Sequence, residues 1–171
     1  MRKDKINPID EYFDAIVFDF DGVLTDNRVF VDQNGNEQVC CHRGDGLAFD
    51  ALQKLKVKVY IISTETNPVV AARAGKLKVP VWQGVRDKLA TLKVLAQEKK
   101  IDLSRVLYVG NDLNDVHAMI ACGQSACPSD SHKKVIEIAT YHLKTPGGFG
   151  VVRELLEDVF HIDLADILYP T

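Results

Sequence analysis

Two aspartates, Asp19 and Asp21, stand at the end of an apolar run that begins at Ala15. Burying a lone carboxylate costs free energy, so buried acids are usually paired, hydrogen-bonded or bound to a metal ion. The two acids can belong to a turn in which one aspartate side chain accepts a hydrogen bond from the backbone. They can also form a reactive pair, in which one carboxylate attacks as a nucleophile and the other transfers protons. The residues that follow the other apolar runs bear on this choice.

The apolar runs predict strands, and helical patterns separate them. The strands are expected at 15–20, 57–62 and 106–109, with shorter ones at 79–82, 124–127 and 140–143. The helices are expected near 46–55, 67–77, 87–99, 113–121, 131–138 and 149–159. Nearly continuous apolar strands that alternate with helices are typical of an α/β fold, here a doubly wound parallel sheet with helices on both faces.

Polar residues that could do chemistry follow these strands in turn. Ser63 follows the strand at 57–62, and Lys88 follows the short strand at 79–82. Asp112 and Asp115 follow the strand at 106–109, within the stretch GNDLND. Because ligands bind open parallel sheets at the carboxyl ends of the strands, these side chains are expected to meet Asp19 and Asp21 there.

A site with this composition suits a phosphoryl group. Several carboxylates close together repel one another unless a cation such as Mg²⁺ neutralises them, and hydroxyl and ammonium donors can hold phosphoryl oxygens. Asp19 would then be the nucleophile that forms an aspartyl-phosphate, and Asp21 the general acid and base. Taken singly, Ser63 could be a helix N-cap, Lys88 a surface lysine, and the later aspartates a favourable helix N-terminus.

One stretch breaks the alternation of strands and helices. Asn34-Gly35 lies between two extended segments in the sequence from Arg28 to His42. This dipeptide favours a β-hairpin with a type I′ turn, which needs a positive φ at both residues. A two-stranded hairpin is rarely stable alone, so it must pack against something, and a neighbouring subunit is one possibility.

The overall composition bounds the function. The chain has 171 residues, enough for one domain with a core, and 46% of them are hydrophobic. Its net charge is −3 and no basic residues cluster, which gives no support for nucleic-acid binding. No apolar stretch approaches the roughly 20 residues of a membrane span, and the N-terminus is too polar for a signal peptide. A cytoplasmic protein with reduced, structural cysteines is expected.

The ordered motifs resemble those of the haloacid dehalogenase superfamily of phosphatases, from about residue 15 to 155. DFDGVLTD resembles the first motif, with Asp19 as nucleophile and Asp21 as general acid and base. Ser63 and Lys88 fall at the second and third motifs, and GNDLND resembles the metal-binding fourth. The resemblance implies Mg²⁺ held by Asp19, Asp112 and the main-chain carbonyl of Asp21. Asp115 would be a further ligand or a partner of the ligands.

The spacing of the motifs leaves no room for the cap domain that most of these phosphatases carry. About twenty residues separate Asp21 from the stretch HRGDG at 42–46, and the hairpin fills them. A single capless domain over 1–171, with a hairpin at about 27–42, is expected. The chain resembles the capless sugar-acid phosphatases, in which HRGDG and TPGGFGVVRE (145–154) have counterparts. That group implies a homotetramer assembled through the hairpins.

The residues after Ser63 suggest the substrate. Octulosonate phosphatases tend to have Gly-Arg there, whereas this chain has Thr64-Glu65. The stretch resembles 2-keto-3-deoxy-nonulosonate 9-phosphate phosphatases and the related domains of sialate cytidylyltransferases. By that resemblance Glu65, Arg73 and Lys76 bind the sugar acid, the last two on a neighbouring subunit's substrate. Two cations on one helix face suit a carboxylate, although they also fit a solvated surface.

The first expectation is therefore a Mg²⁺-dependent phosphatase of a nonulosonate 9-phosphate. The alternative is a 3-deoxy-D-manno-octulosonate 8-phosphate phosphatase. Two other classes are a phosphorylated receiver switch and a non-catalytic oligomerisation domain of the kind associated with acylneuraminate cytidylyltransferases. The presence of Asp21, which would make turnover fast, argues against the switch.

Overall fold

The computed structural model describes Ile9 and residues 12–170, and its strands form two sheets. The strands are β1 (Ala15–Phe18), β2 (Thr25–Val31), β3 (Glu37–Cys41), β4 (Val59–Ile62), β5 (Val81–Trp82), β6 (Val106–Val109), β7 (Gln124–Cys127) and β8 (Tyr141–His142). Six of them form a parallel sheet in the order β5-β4-β1-β6-β7-β8. The strands β2 and β3 form a separate antiparallel pair.

Helices connect the parallel strands and follow the last of them. They are α1 (Arg43–Lys54), α2 (Val69–Leu77), α3 (Lys88–Lys99), α4 (Val116–Ala121), α5 (Lys133–Ile138), α6 (Val151–Glu154) and α7 (Leu164–Leu168). A short 3₁₀ turn, Leu103–Arg105, precedes β6, and a π-helical turn, Leu155–Val159, continues α6. The predicted α/β fold with a doubly wound parallel sheet is confirmed.

The core lies on both faces of the sheet, because successive side chains of a strand point to opposite sides. In β1, Ile16 and Phe18 pack under α1, α2, α6 and α7, whereas Ala15 and Val17 pack under α3, α4 and α5. All four residues are fully buried. Helices thus cover both faces of the sheet, which leaves the loops at its carboxyl ends as the expected place for a site.

The predicted hairpin exists, but the predicted turn is wrong. Gly35 has a positive φ of 80°, whereas Asn34 has none, so the turn is not type I′. The Gly35 N–H donates to the Asp32 carbonyl at 3.0 Å, and Asp32 Oδ1 accepts the N–H groups of Asn34 and Asn36 at 2.8 and 2.9 Å. The Asp32 carboxylate therefore stabilises a longer loop, with a type I turn before a left-handed glycine.

The hairpin also contains a bulge and an exposed apolar stretch. Thr25 pairs with Cys41 and Val29 with Val39, so β2 has two extra residues between these pairs. Val29, Phe30 and Val31 beyond the bulge are 49 to 64% exposed. Three consecutive exposed apolar residues in one strand are unusual on a surface that faces only water.

Several predicted helices have different bounds in the structure. Those predicted at 67–77, 113–121 and 131–138 begin two or three residues later, at Val69, Val116 and Lys133. Helix α1 begins at Arg43 rather than near 46. Asp45 in its first turn accepts the N–H groups of Val152 and Arg153 at 3.0 and 3.2 Å, which ties α1 to α6. The helix predicted at 149–159 is α6 followed by the π-helical turn. Within the described part of the chain, none of the helices is both long and apolar enough to cross a bilayer.

Candidate active site

The carboxyl ends of β1, β4 and β6 meet at a polar cleft of about 270 Å³. Ten residues line the cleft: Asp19, Asp21, Asn27, Val29, Ser63, Thr64, Glu65, Asn111, Asp112 and Asn114. Most of the residues predicted to act together are therefore neighbours. The hairpin forms one wall of the cleft, since Asn27 and Val29 belong to β2.

Lys88 lies beneath the cleft, held between two carboxylates. It is the first residue of α3, which Asp87 caps by accepting the Ala90 N–H at 3.0 Å. Lys88 Nζ is 2.7 Å from Asp19 Oδ1 and 2.7 Å from Asp115 Oδ1. All three side chains are nearly or completely buried. Lys88 is therefore a buried, ion-paired residue rather than the surface lysine that it could be when taken singly.

The charges of the triad do not balance, because two carboxylates surround one ammonium group. Burial raises the pKa of Asp19 well above its usual value, the Asp115 carboxylate raises it further, and Lys88 opposes both effects. Burial alone would lower the pKa of Lys88, but Asp19 and Asp115 outweigh it and raise the pKa. Lys88 therefore stays charged and opposes the rise in the pKa of Asp19. When both carboxylates are ionised, one negative charge is left for a cation to neutralise.

Asp115 has no oxygen free to face the cleft. Its Oδ1 accepts from Lys88 and from the Tyr108 hydroxyl at 3.0 Å. Its Oδ2 accepts the N–H groups of Asn111 and Asp112 at 3.0 and 3.2 Å. Of the two predicted roles for Asp115, this geometry favours that of a partner which orients Lys88 and the loop after β6.

Asn111 is the residue of this loop that faces the first strand. Its side-chain amide lies 2.9 Å from the Asp21 carbonyl oxygen and 3.2 Å from Asp19 Oδ2. This approach requires a glycine at position 22, because a Cβ there would lie 2.0 Å from the Asn111 amide nitrogen. Gly22 also has a φ of 77°, which favours glycine.

Asp21 and Ser63 complete the inner part of the cleft. Burial raises the pKa of Asp21, a hydrogen bond from Thr25 opposes the rise, and the Glu65 charge adds to it. Asp21 is thus suited to hold a proton nearer neutral pH than a solvated aspartate is. Ser63 is buried, and its Oγ accepts the Glu65 N–H at 3.1 Å. It stabilises the turn after β4 rather than capping α2, whose N-cap is Pro68.

Comparison with known proteins supports what this geometry suggests. The profile of the haloacid dehalogenase-like hydrolases matches residues 47–155. The chain belongs to this family. A hydrolase of the same family from Streptomyces avermitilis has a solved structure that is 46% identical, with a TM-score of 0.84 over 86% of this chain and 90% of that one. The predicted superfamily and an enzymatic function are therefore confirmed.

Relatives with more specific names fall into two groups. The 3-deoxy-D-manno-octulosonate 8-phosphate phosphatase of Escherichia coli K12 is 31% identical over 83% of this chain and 76% of its own. The Moraxella catarrhalis phosphatase of that name, solved with magnesium, phosphate and the sugar acid, is 28% identical, with a TM-score of 0.84 over 91% and 92%. The N-acylneuraminate cytidylyltransferase of Oncorhynchus mykiss is 32% identical over 81% of this chain. This chain spans about a third of that relative's length.

The cleft of this haloacid dehalogenase-like hydrolase contains oxygen atoms that could bind a hard cation. The Asn111 amide has two possible orientations, which place either its nitrogen or its oxygen next to Asp19 Oδ2 and the Asp21 carbonyl. With Nδ2 turned inward it donates to both oxygens, and with Oδ1 turned inward three oxygens converge. The second arrangement, next to the uncompensated charge of the triad, suits Mg²⁺. Among the described residues, no three His, Cys, Asp or Glu side chains are placed so that they could bind one metal ion together. The site proposed here differs from such a cluster, because two of its three oxygens come from an amide and a main-chain carbonyl.

The three residues predicted to bind the sugar acid are not brought together in one chain. Glu65 lines the cleft, but its Oε1 accepts the N–H groups of Thr66 and Asn67 at 2.6 and 2.7 Å. Arg73 Nη2 donates to the His42 carbonyl at 3.1 Å, and Lys76 is exposed on α2. Neither cation lines the cleft of its own chain.

Sequence reasoning missed Asn111, Tyr108 and Thr25 as parts of the site. Asn111 lies directly before Asp112 in GNDLND, and a carboxylate is a more common Mg²⁺ ligand than an amide. Thr25 lies within DFDGVLTD, four residues after Asp21, and this short separation is a signal that the two residues are neighbours. Tyr108 is an internal residue of β6, and nothing in the sequence separates it from a core aromatic residue.

Proposed function

We propose that the protein is a Mg²⁺-dependent phosphatase of a 2-keto-3-deoxy sugar-acid phosphate, with 3-deoxy-D-manno-octulosonate 8-phosphate as the best supported substrate. The observation that carries the proposal is the buried Asp19–Lys88–Asp115 triad beneath a polar cleft that also contains Asp21 and Ser63. This set combines a nucleophile, a proton-transfer group and donors for phosphoryl oxygens in one place.

The proposed reaction has two steps at phosphorus. The Asp19 carboxylate, held by Lys88, attacks the phosphorus, and the bond to the sugar oxygen breaks. Asp21 gives its proton to that leaving oxygen. A water molecule, deprotonated by Asp21, then attacks the phosphorus of the aspartyl-phosphate, which releases inorganic phosphate and restores Asp19.

Two donors are suited to hold the transferred phosphoryl group. An ammonium group has three N–H donors, and Lys88 uses two of them on Asp19 and Asp115, so one is left for a phosphoryl oxygen. The Ser63 hydroxyl lines the cleft and can donate to a second oxygen. Mg²⁺, when bound by Asp19, the Asp21 carbonyl and Asn111, would supply positive charge to the phosphoryl oxygens.

The proposed substrate is that of the relatives which this chain matches over most of the relatives' own length. The octulosonate phosphatases do so, whereas the cytidylyltransferases match over a third of theirs. The comparisons thus favour the octulosonate alternative over the nonulosonate reading that Glu65, Arg73 and Lys76 first suggested. The nonulosonate 9-phosphates remain the second candidate, because Glu65 lines the cleft.

The experiment that tests the function is phosphate release with Mg²⁺ from both classes of sugar-acid phosphate. We expect kcat/KM to be at least tenfold higher for the octulosonate 8-phosphate, about 1.4 kcal/mol of transition-state discrimination. A preference of that size for nine-carbon acids would overturn the substrate and restore the roles of Glu65, Arg73 and Lys76. If neither class releases phosphate, the proposed substrate class would be wrong, and the hydrolase would act on another phosphate ester.

The ligand role proposed for Asn111 predicts a difference between two neighbouring residues. Asn111→Leu should raise the Mg²⁺ concentration needed for half-maximal activity by about tenfold or more, because a ligand oxygen is lost. Asp112→Ala should raise it less, since Asp112 is exposed and its Oδ1 accepts the Leu113 N–H at 2.7 Å. The rise in Tm that Mg²⁺ causes gives a second measure that does not depend on turnover. The opposite ranking would return the ligand role to Asp112.

The exposed hairpin predicts self-association, and we propose a homotetramer. Val31→Asp places a charge on the apolar stretch and should give a smaller species in light scattering at micromolar concentration. Val94→Asp is the matched control, because Val94 is also exposed but lies on α3. A wild-type monomer, or equal effects of the two changes, would contradict the proposal. In the tetramer Arg73 and Lys76 would serve a neighbouring cleft, so Val31→Asp should also raise KM.

A further inference from the structure

Thr25 is a buried hydroxyl residue beside the acid that we propose transfers protons. It is completely buried at the start of β2, four residues after Asp21. Its Oγ1 donates to Asp21 Oδ1 at 3.3 Å. The same oxygen accepts the N–H groups of Gly22 and Asn27, both at 3.2 Å.

These three hydrogen bonds determine where the hydroxyl hydrogen points. A threonine hydroxyl has one hydrogen to donate and two lone pairs that accept. The N–H groups of Gly22 and Asn27 occupy the lone pairs, so the hydrogen is directed to Asp21 Oδ1. Asn27 reaches this position with a left-handed φ of 62°, at the bulge of β2. Among the described residues, Asp21 Oδ2 has no hydrogen-bond partner, so it is the oxygen left for the cleft.

The backbone that carries Thr25 is itself held in place. Gly148 N–H donates to the Val23 carbonyl at 3.0 Å. A Cβ on Gly147 would lie 2.1 Å from the Gly22 carbonyl oxygen, and one on Gly148 would lie 2.4 Å from the Thr25 carbonyl carbon. The glycine loop therefore packs directly on the segment from Gly22 to Asp26, which limits how far Thr25 and Asp21 can move relative to each other.

We propose that Thr25 is a positioning residue, which holds the Asp21 carboxyl group by Oδ1 so that Oδ2 exchanges the proton with the leaving oxygen. The inference rests on the proposed phosphatase mechanism. The 3.3 Å bond is longer than the usual 2.7–2.8 Å for O–H···O, so its loss should cost about a factor of ten rather than abolish activity.

The test compares two esters of similar size, benzyl phosphate and p-nitrophenyl phosphate. The benzyl leaving group needs a proton, whereas nitrophenolate leaves well without one. The measured quantity is kcat/KM, because it reports only the steps up to departure of the leaving group. Thr25→Val should lower kcat/KM about tenfold for benzyl phosphate and less than about twofold for p-nitrophenyl phosphate. Thr25→Ser, which keeps the hydroxyl, should restore the wild-type ratio.

Controls separate this role from a loss of folded protein. A fraction of unfolded enzyme lowers both rates equally and leaves their ratio unchanged. Thr25→Ala lacks the hydroxyl without placing a methyl group where the oxygen was, and it should reproduce the selective loss if Thr25→Val folds poorly. Thr140→Val is the matched control, because the Thr140 hydroxyl accepts the Ser125 N–H at the amino end of β7.

The possible outcomes are distinct. An equal loss on both esters, or no loss on either, would overturn the positioning role while the phosphatase function stands. If the wild-type protein hydrolyses neither ester nor a sugar-acid phosphate, the proposed function fails, and the inference about Thr25 fails with it.

Discussion

Asp19→Asn should reduce phosphate release by about four orders of magnitude or more, which corresponds to at least about 5.5 kcal/mol in the activation free energy. The amide has nearly the shape of the carboxylate, but it cannot attack phosphorus. The measurement is single-turnover phosphate release with saturating Mg²⁺ and substrate. Residual activity above about one per cent of wild type would contradict a nucleophilic role for Asp19.

The same variant should fold at least as well as the wild type. Burial and Asp115 raise the pKa of Asp19, so its ionised form destabilises the folded state at neutral pH. An amide removes that cost and leaves Lys88 paired with Asp115. Denaturant unfolding without Mg²⁺ should show an unchanged or higher free energy of unfolding. Asp166→Asn, at an exposed position of α7, is the matched control and should change neither stability nor activity.

Lys88→Met should lower the free energy of unfolding by about 3–5 kcal/mol, because it leaves two buried carboxylates without their shared cation. Activity should fall by at least about a hundredfold, since both a phosphoryl donor and the charge that favours ionised Asp19 are lost. Urea unfolding and kcat/KM measure the two effects. A Lys88→Met protein as stable as the wild type would contradict the ion-paired triad.

A second substitution separates the structural role of Lys88 from its chemical role. Adding Asp115→Asn to Lys88→Met removes one of the two buried carboxylates that lost their cation. The double variant should therefore recover part of the lost free energy of unfolding but none of the activity. Such coupling is expected between residues in direct contact. Lys93→Met, on the exposed side of the same helix, is the matched control and should stay within about 0.5 kcal/mol of wild type.

The parallel sheet was predictable because its signals are local. Each buried strand is an apolar run, each helix has its own periodic pattern, and their alternation admits few architectures. The turn at Asn34-Gly35 was predicted wrongly for an equally local reason. The Asp32 side chain bonds the loop backbone and outweighs the preference of the dipeptide for a tighter turn.

The sequence alone determined which side chains would collect at one end of the sheet. Asp19, Ser63 and Asp112 each follow a strand, and the carboxyl ends of parallel strands share an edge, so this grouping needs no knowledge of packing. Lys88 could be added by the same reasoning, although its partners could not.

Only the tertiary structure decided which way those side chains point. Asp115 turns inward to Lys88, 27 positions away along the chain, and this pairing depends on how α3 packs beside the loop after β6. Asn111 rather than Asp112 faces Asp19, because neighbouring residues of a tight loop project in different directions. A motif specifies residue types and spacing, whereas the direction of each side chain follows from backbone angles and long-range packing.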